Sequence, residues 1–328
     1  MIKKNEGVIT ERDFTHVLNS VEKLVNEVSK EIVGQGSLVE SLIIALISDG
    51  HLLIEGVPGL AKTRAVKTMS AAMGGSWNRV QFTPDLLPSD LTGQRIFNQG
   101  NGSFDTELGP IMCNFLLADE INRAPAKVQS ALLECMEERQ VTINSETFSL
   151  PKPFQVLATM NPFDSDGTYN LPSAQLDRFL LRVRLTYPSI EEELEIVRRS
   201  LTQRDPLNVV LTLAAVLKMQ ELRSLVYVPK TVASYAVQLV RATRSLPTVG
   251  LDKYSDFVTS GAGVRASLFL VTAAQSKALI SGRTTVEIQD IVNVSESVVA
   301  HRMLMNYQAS MEGVTSQDII SMIVKSLT

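Results

Sequence analysis

The chain has 328 residues, a formal net charge of −4, and hydrophobic and charged contents of 45% and 20%. That size suits one large domain plus a smaller one, and the composition fits a globular protein rather than a disordered or fibrous one. The acidic balance, with no basic run, argues against nucleic acid as the main partner. The longest apolar run, Leu42 to Ile47, is far too short for a membrane segment. Met1-Ile2-Lys3-Lys4-Asn5-Glu6 leads into no apolar signal core, so a cytoplasmic protein is expected.

In chain order, Phe14, Val17, Leu18, Val21, Leu24, Val25, Val28 and Ile32 carry helical spacing. A second helix is predicted from about Ser37 to Ser48, ending at Gly50. A strand then starts at His51 and runs through Leu52-Leu53-Ile54 into Gly56-Val57-Pro58-Gly59-Leu60-Ala61-Lys62-Thr63. A strand, a glycine-rich turn, Lys-Thr and then a helix, here Lys62 to Met73, is the pattern of a phosphate-binding loop. Glycine lets the backbone curl so that successive N–H groups face phosphate oxygens. The helix start adds its positive dipole end. Lys62 is suited to the β- and γ-phosphates and the Thr63 hydroxyl to Mg²⁺. Ala61 stands where the strict pattern has glycine. At a helix start Ala is favoured over Gly by about 1 kcal/mol, so the change fits if the residue has helical angles.

Residues 94–109 read as a hairpin with its turn at Asn98 to Ser103. Asn114 to Ala118 then forms a buried-strand pattern that ends in Asp119-Glu120. A buried strand has little reason to end in two acids unless they meet a metal or water. Asp119 suits the hydration shell of Mg²⁺. Glu120, expected on the opposite side of the strand, suits activation of the attacking water. Pro125 begins a helix with Val128, Ala131, Leu132, Cys135 and Met136 on one face. A second hairpin is expected over residues 140–150, and a third buried strand, Phe154 to Met160, ends at Asn161-Pro162. The Asn161 amide is placed to hydrogen-bond a γ-phosphate or the lytic water. This alternation implies an α/β fold, a parallel sheet wrapped by helices. From about Pro188 the pattern is helical, divided at Pro206, Pro229, Pro247 and Gly282. Cys113 and Cys135 lack metal-type spacing and read as reduced core residues, and the three histidines form no ligand cluster.

The blocks GVPGLAKT, LLADEINRAPAKVQSALLECMEERQVTI, ATMNP and AQLDRFLLR resemble those of the MoxR family of AAA+ ATPases, in order and spacing. The resemblance implies an AAA+ P-loop NTPase core with hairpin insertions over residues 1–188 and an all-α lid domain over 189–328. It implies ATP and Mg²⁺ as cofactors. Gly56, Pro58, Gly59, Leu60, Ala61, Lys62 and Thr63 would cradle the phosphates, with Thr63 and Asp119 at the metal. Val33 and Gly34, in Ile32-Val33-Gly34-Gln35, match the motif that contacts adenine. Lys62, Glu120, Asn161 as first sensor and Arg178 as an arginine finger entering the neighbouring subunit would form the catalytic set. Arg265 would be the second sensor, although the family carries Ser-Pro where this chain has Gly263-Val264. Such an enzyme is expected to form a ring, a hexamer of itself, and to remodel client protein complexes with a von Willebrand factor A (VWA) domain partner. Its hairpins would line the pore. Two other readings stand beside this one: a nucleic-acid motor, and a nucleotide-gated scaffold with little hydrolysis.

Overall fold

The computed structural model describes residues 10–56, 62–100, 102–160, 171–201 and 206–327. They form two compact units, residues 22–217 and residues 10–21 with 218–327. The chain passes between them within α1 (Glu11–Ser29) and α8 (Leu213–Leu225).

After α1 the larger unit continues through α2 (Gly36–Ile47), β1 (Leu52–Glu55), α3 (Lys62–Met73), β2 (Trp77–Gln81) and α4 (Pro88–Thr92). Next come β3 (Gly93–Asn98), β4 (Ser103–Leu108), β5 (Phe115–Asp119), α5 (Ala126–Glu138), β6 (Gln140–Ile143) and β7 (Glu146–Ser149). β8 (Gln155–Met160), α6 (Ser173–Leu176), β9 (Leu181–Arg184), α7 (Ile190–Ser200) and the start of α8 complete it. α1 ends before Ile32, the last residue of the expected stripe, which is buried in the turn that follows.

Five strands make one parallel sheet in the order β2-β5-β8-β1-β9. On one face Leu53, Leu116, Ala118, Val156 and Ala158 share a core with Val128, Leu132 and Met136 of α5. The alternate residues Leu52, Ile54, Leu117 and Leu157, also buried, point to the other face, as the two-residue strand period requires. Covered on both faces, the central strands are apolar runs, which is why the sequence shows them so clearly. The edge strands are another matter: β2 (WNRVQ) and β9 (LRVR) carry arginines and polar side chains and are new to the structure.

His51 precedes β1 rather than opening it, and ties two elements together. Its Nε2–H donates to the Met136 carbonyl (3.1 Å), and its Nδ1 accepts from the Val156 amide (2.9 Å). Complete burial pushes the imidazole pKa well below its ordinary value, and the neighbouring Arg139 charge adds to the effect.

Both hairpins form where expected: β3 pairs with β4 and β6 with β7, all antiparallel. Gly93 closes the base of the first at φ +105°, where a Cβ would lie 2.2 Å from the Glu107 carbonyl oxygen, so no other residue fits.

The smaller unit is helical, with α9 (Lys230–Ala242), α10 (Val264–Ile280), α11 (Ile288–Val299), α12 (Tyr307–Met311) and α13 (Ser316–Leu327). A short antiparallel pair, β10 (Val258–Ser260) and β11 (Leu304–Met305), interrupts the helices. The buried Asp290 near the start of α11 accepts a two-pronged pair from Arg283 (2.8 and 2.5 Å).

Candidate active site

The site is built where parallel strands stop. β1 delivers Gly56, α3 begins with Lys62 and Thr63, and β5, separated from β1 by β8, ends at Asp119. The Lys62 ammonium donates to the Gly56 carbonyl (2.6 Å). Its partial burial lowers its pKa, while the charges of Asp119 and Glu120 pull in the opposite direction. Lysine and both carboxylates therefore share one electrostatic neighbourhood. Thr63 is half-buried in the first turn of α3. Pro58, Gly59, Leu60 and Ala61 of the loop, and Asn161 after β8, lie outside the described residues.

The expectation that Glu120 faces away from Asp119 by strand alternation does not apply. The strand ends at Asp119, and Glu120 takes a left-handed backbone (φ 58°, ψ 50°) that a non-glycine residue rarely adopts. The sharp turn is held from the next strand. The Thr159 hydroxyl donates to Asp119 Oδ1 (2.5 Å) and accepts the Glu120 amide (2.9 Å). One buried hydroxyl thus orients both acidic residues.

β2 supplies the remaining partners. Its register sets Arg79 beside Leu117 and Gln81 beside Asp119. Arg79 donates to Asp119 Oδ2 through Nη2 (2.6 Å) and Nε (3.1 Å). Arg79 Nη2 also reaches Gln81 Oε1 (3.1 Å), and Gln81 Nε2 donates to Glu120 Oε2 (2.8 Å). Arg123 pairs with the same Glu120 oxygen at 3.3 Å. Sequence reasoning missed Arg79, Gln81 and Thr159. The available signal was the spacing of Arg79 and Gln81, which puts both on one face of a strand.

A second strip runs alongside. Arg64 in the first turn of α3 pairs with Glu31 at 3.8 Å, and Gln35 Nε2 donates to the Thr186 carbonyl (3.4 Å). Gly34 between them has φ +72°, and a Cβ there would meet the Glu192 carboxylate. Val33 beside it is half-buried. The residues named for the base therefore sit next to the start of the phosphate-loop helix. Arg178 and Arg265 are the two further assignments. Arg178 forms an ion pair with Glu137 of α5 (Nε–Oε2, 2.9 Å). Arg265, the second residue of α10, is half-buried in the smaller unit.

Residues 51–181 match the ATPase family associated with various cellular activities (AAA), and residues 256–323 match the AAA lid domain. The chain is 45% identical to Chaperone MoxR1 of Mycobacterium tuberculosis, over 94% of this chain and 82% of the relative. The chain belongs to the MoxR family of AAA+ ATPases. Protein MoxR of Methylorubrum extorquens is 30% identical, with 85% of this chain and 86% of the relative covered. A crystal structure of a Cytophaga hutchinsonii protein superposes with a TM-score of 0.91 at 42% identity, covering 97% of both chains. The expected MoxR architecture, an α/β core with a helical lid, is the one found.

MoxR-family membership implies nucleotide binding, and the donor set fits the metal that usually accompanies it. Mg²⁺ demands hard oxygen ligands, takes few from protein and keeps waters and phosphates for the rest. Asp119 and Thr63 are such donors. Among the described residues no group of three or more His, Cys, Asp or Glu side chains could hold an ion alone. No helix among the described residues is long and apolar enough to cross a membrane.

Proposed function

We propose that this MoxR-family ATPase binds ATP with Mg²⁺ at the ends of β1 and β5 and hydrolyses it to remodel client protein complexes. The observation that carries the proposal is that Lys62, after β1, and Asp119 and Glu120, at the end of β5, lie at the same end of one parallel sheet, where Lys62 feels both carboxylates. Lys62 exchanges the Gly56 carbonyl for the phosphates, and its charge stabilises the transferring group. Asp119 and Thr63 would hold Mg²⁺, which supplies neutralisation of the phosphate charge. Glu120 positions and deprotonates the attacking water once it is freed from Gln81 and Arg123. Asn161 contacts the γ-phosphate or that water, and Val33 and Gly34 line the base end. Arg178 leaves Glu137 to complete a neighbouring subunit's site, and Arg265 closes the lid onto the nucleotide.

In this proposal the protein assembles as a homo-oligomeric ring of six, cytoplasmic and chaperone-like, acting with a VWA-domain partner. The two hairpins line the pore and touch the client. Support comes from family membership and from the Mycobacterium relative, which is named a chaperone. The test is capture from native extract with Glu120→Gln held on ATP, read by mass spectrometry beside a nuclease-treated control. A VWA-domain protein or an enzyme complex retained only with ATP supports the proposal. Partners lost on nuclease treatment would replace it with a nucleic-acid motor.

A further inference from the structure

Asp119, the carboxylate assigned to the metal, already carries a cation. Both of its oxygens are engaged by protein donors: Oδ1 by the Thr159 hydroxyl at 2.5 Å, Oδ2 by two nitrogens of Arg79 at 2.6 and 3.1 Å. The two partners differ in kind. Thr159 is fully buried within β8, whereas Arg79 reaches over from the edge strand β2 with about half of its side chain in solvent. A buried hydroxyl is a fixed support. A half-exposed guanidinium on an edge strand is removable, because breaking such a pair in water costs little.

We propose that Arg79 is a positioning residue that stands in for Mg²⁺ on Asp119 and must withdraw from Oδ2 for the metal to load. The inference rests on the Mg²⁺-nucleotide reading of the site. Its physical basis is competition. A hydrated divalent ion and a guanidinium claim the same carboxylate oxygen, and two cations a few ångströms apart in a partly desolvated cleft repel strongly. The arrangement keeps Asp119 in its metal-ready rotamer without the metal. It also links loading to the other acid, since the same Arg79 nitrogen bonds Gln81, which in turn holds Glu120. Withdrawal of Arg79 removes the donor that orients the Gln81 carboxamide and loosens its hold on Glu120.

The experiment is a Mg²⁺ titration of the full-length protein saturated with a fluorescent ADP analogue, which reads binding with no hydrolysis. Arg79→Met keeps the apolar stem and removes the charge, and Arg79→Lys keeps the charge. The expected Mg²⁺ midpoint for Arg79→Met is about tenfold lower than wild type, with Arg79→Lys near wild type. Asp119→Asn should raise the midpoint in either background. An unchanged or higher midpoint in Arg79→Met, with Asp119→Asn still weakening Mg²⁺, overturns the inference and leaves the site reading intact. A wild-type complex indifferent to both Mg²⁺ and Asp119→Asn would instead overturn the site reading.

Discussion

The ends of β5 and β8 and the hairpin β3–β4 treat their side chains in opposite ways. At the strand ends Arg79, Gln81, Asp119, Glu120 and Thr159 satisfy one another within a single hydrogen-bonded network. The hairpin instead displays Ile96, Phe97, Phe104 and Leu108 at 43%, 51%, 56% and 44% exposure. Phe97 and Phe104 lie across the ladder with ring centroids 5.1 Å apart, and Arg95 covers the Phe104 ring at 5.3 Å. One region ties polar groups to one another, several of them half-exposed; the other leaves apolar groups in water, where a partner would bury them. Under the proposed function the contrast separates hydrolysis from client handling, and each half can be broken without the other.

The largest effect is expected on the chemical side. Arg178→Ala should keep nucleotide binding and lose hydrolysis by roughly 10³-fold, the scale of an arginine at a transferring phosphoryl group. Mixing it with Lys62→Ala, which lacks the phosphate-binding amine but keeps Arg178, should restore part of the activity. Steady-state phosphate release measures both, and no recovery on mixing would place Arg178 outside any neighbour's site. On the hairpin side, Phe97→Ser with Phe104→Ser in the Glu120→Gln background should release the captured client. Urea stability should stay within about 0.5 kcal/mol, since both rings are exposed. Retained client would show that the hairpin only decorates the surface.

The smallest effect belongs to His51, which supports the sheet from below the site. Its folded pKa is depressed, so the native state keeps it neutral while the unfolded chain takes a proton below about pH 6.5. Unfolding then binds protons, and stability falls as pH drops through that value, by at most about 1.4 kcal/mol per unit. Urea midpoints at pH 7.5, 6.5 and 5.5 should show this slope, and His51→Gln should flatten it. An equal slope in the variant would assign the acid sensitivity to other groups.

Much of the fold was legible because the central strands are buried on both faces. Leu52-Leu53-Ile54, the run to Asp119 and the run to Met160 announce themselves as apolar stretches, and α3 begins at Lys62 as the loop pattern requires. The edge strands β2 and β9 were not, since their polar residues interrupt that signal. Asp119, Glu120 and Lys62 could be named from sequence because each belongs to a local motif. Arg79, Gln81 and Thr159 could not, because their roles depend on β2 and β8 flanking β5, an adjacency of segments some 40 residues apart. Nor could alternation foresee the left-handed turn at Glu120, where the strand has already ended.

The most direct test of the central claim is single-turnover ATP hydrolysis by wild type and Glu120→Gln, with nucleotide affinity measured on the same preparations. The proposed site predicts unchanged ATP affinity and a hydrolysis rate lower by about 10²-fold or more in the variant. Hydrolysis at the wild-type rate would remove Glu120 from the reaction and contradict the assignment of this site as the ATPase centre.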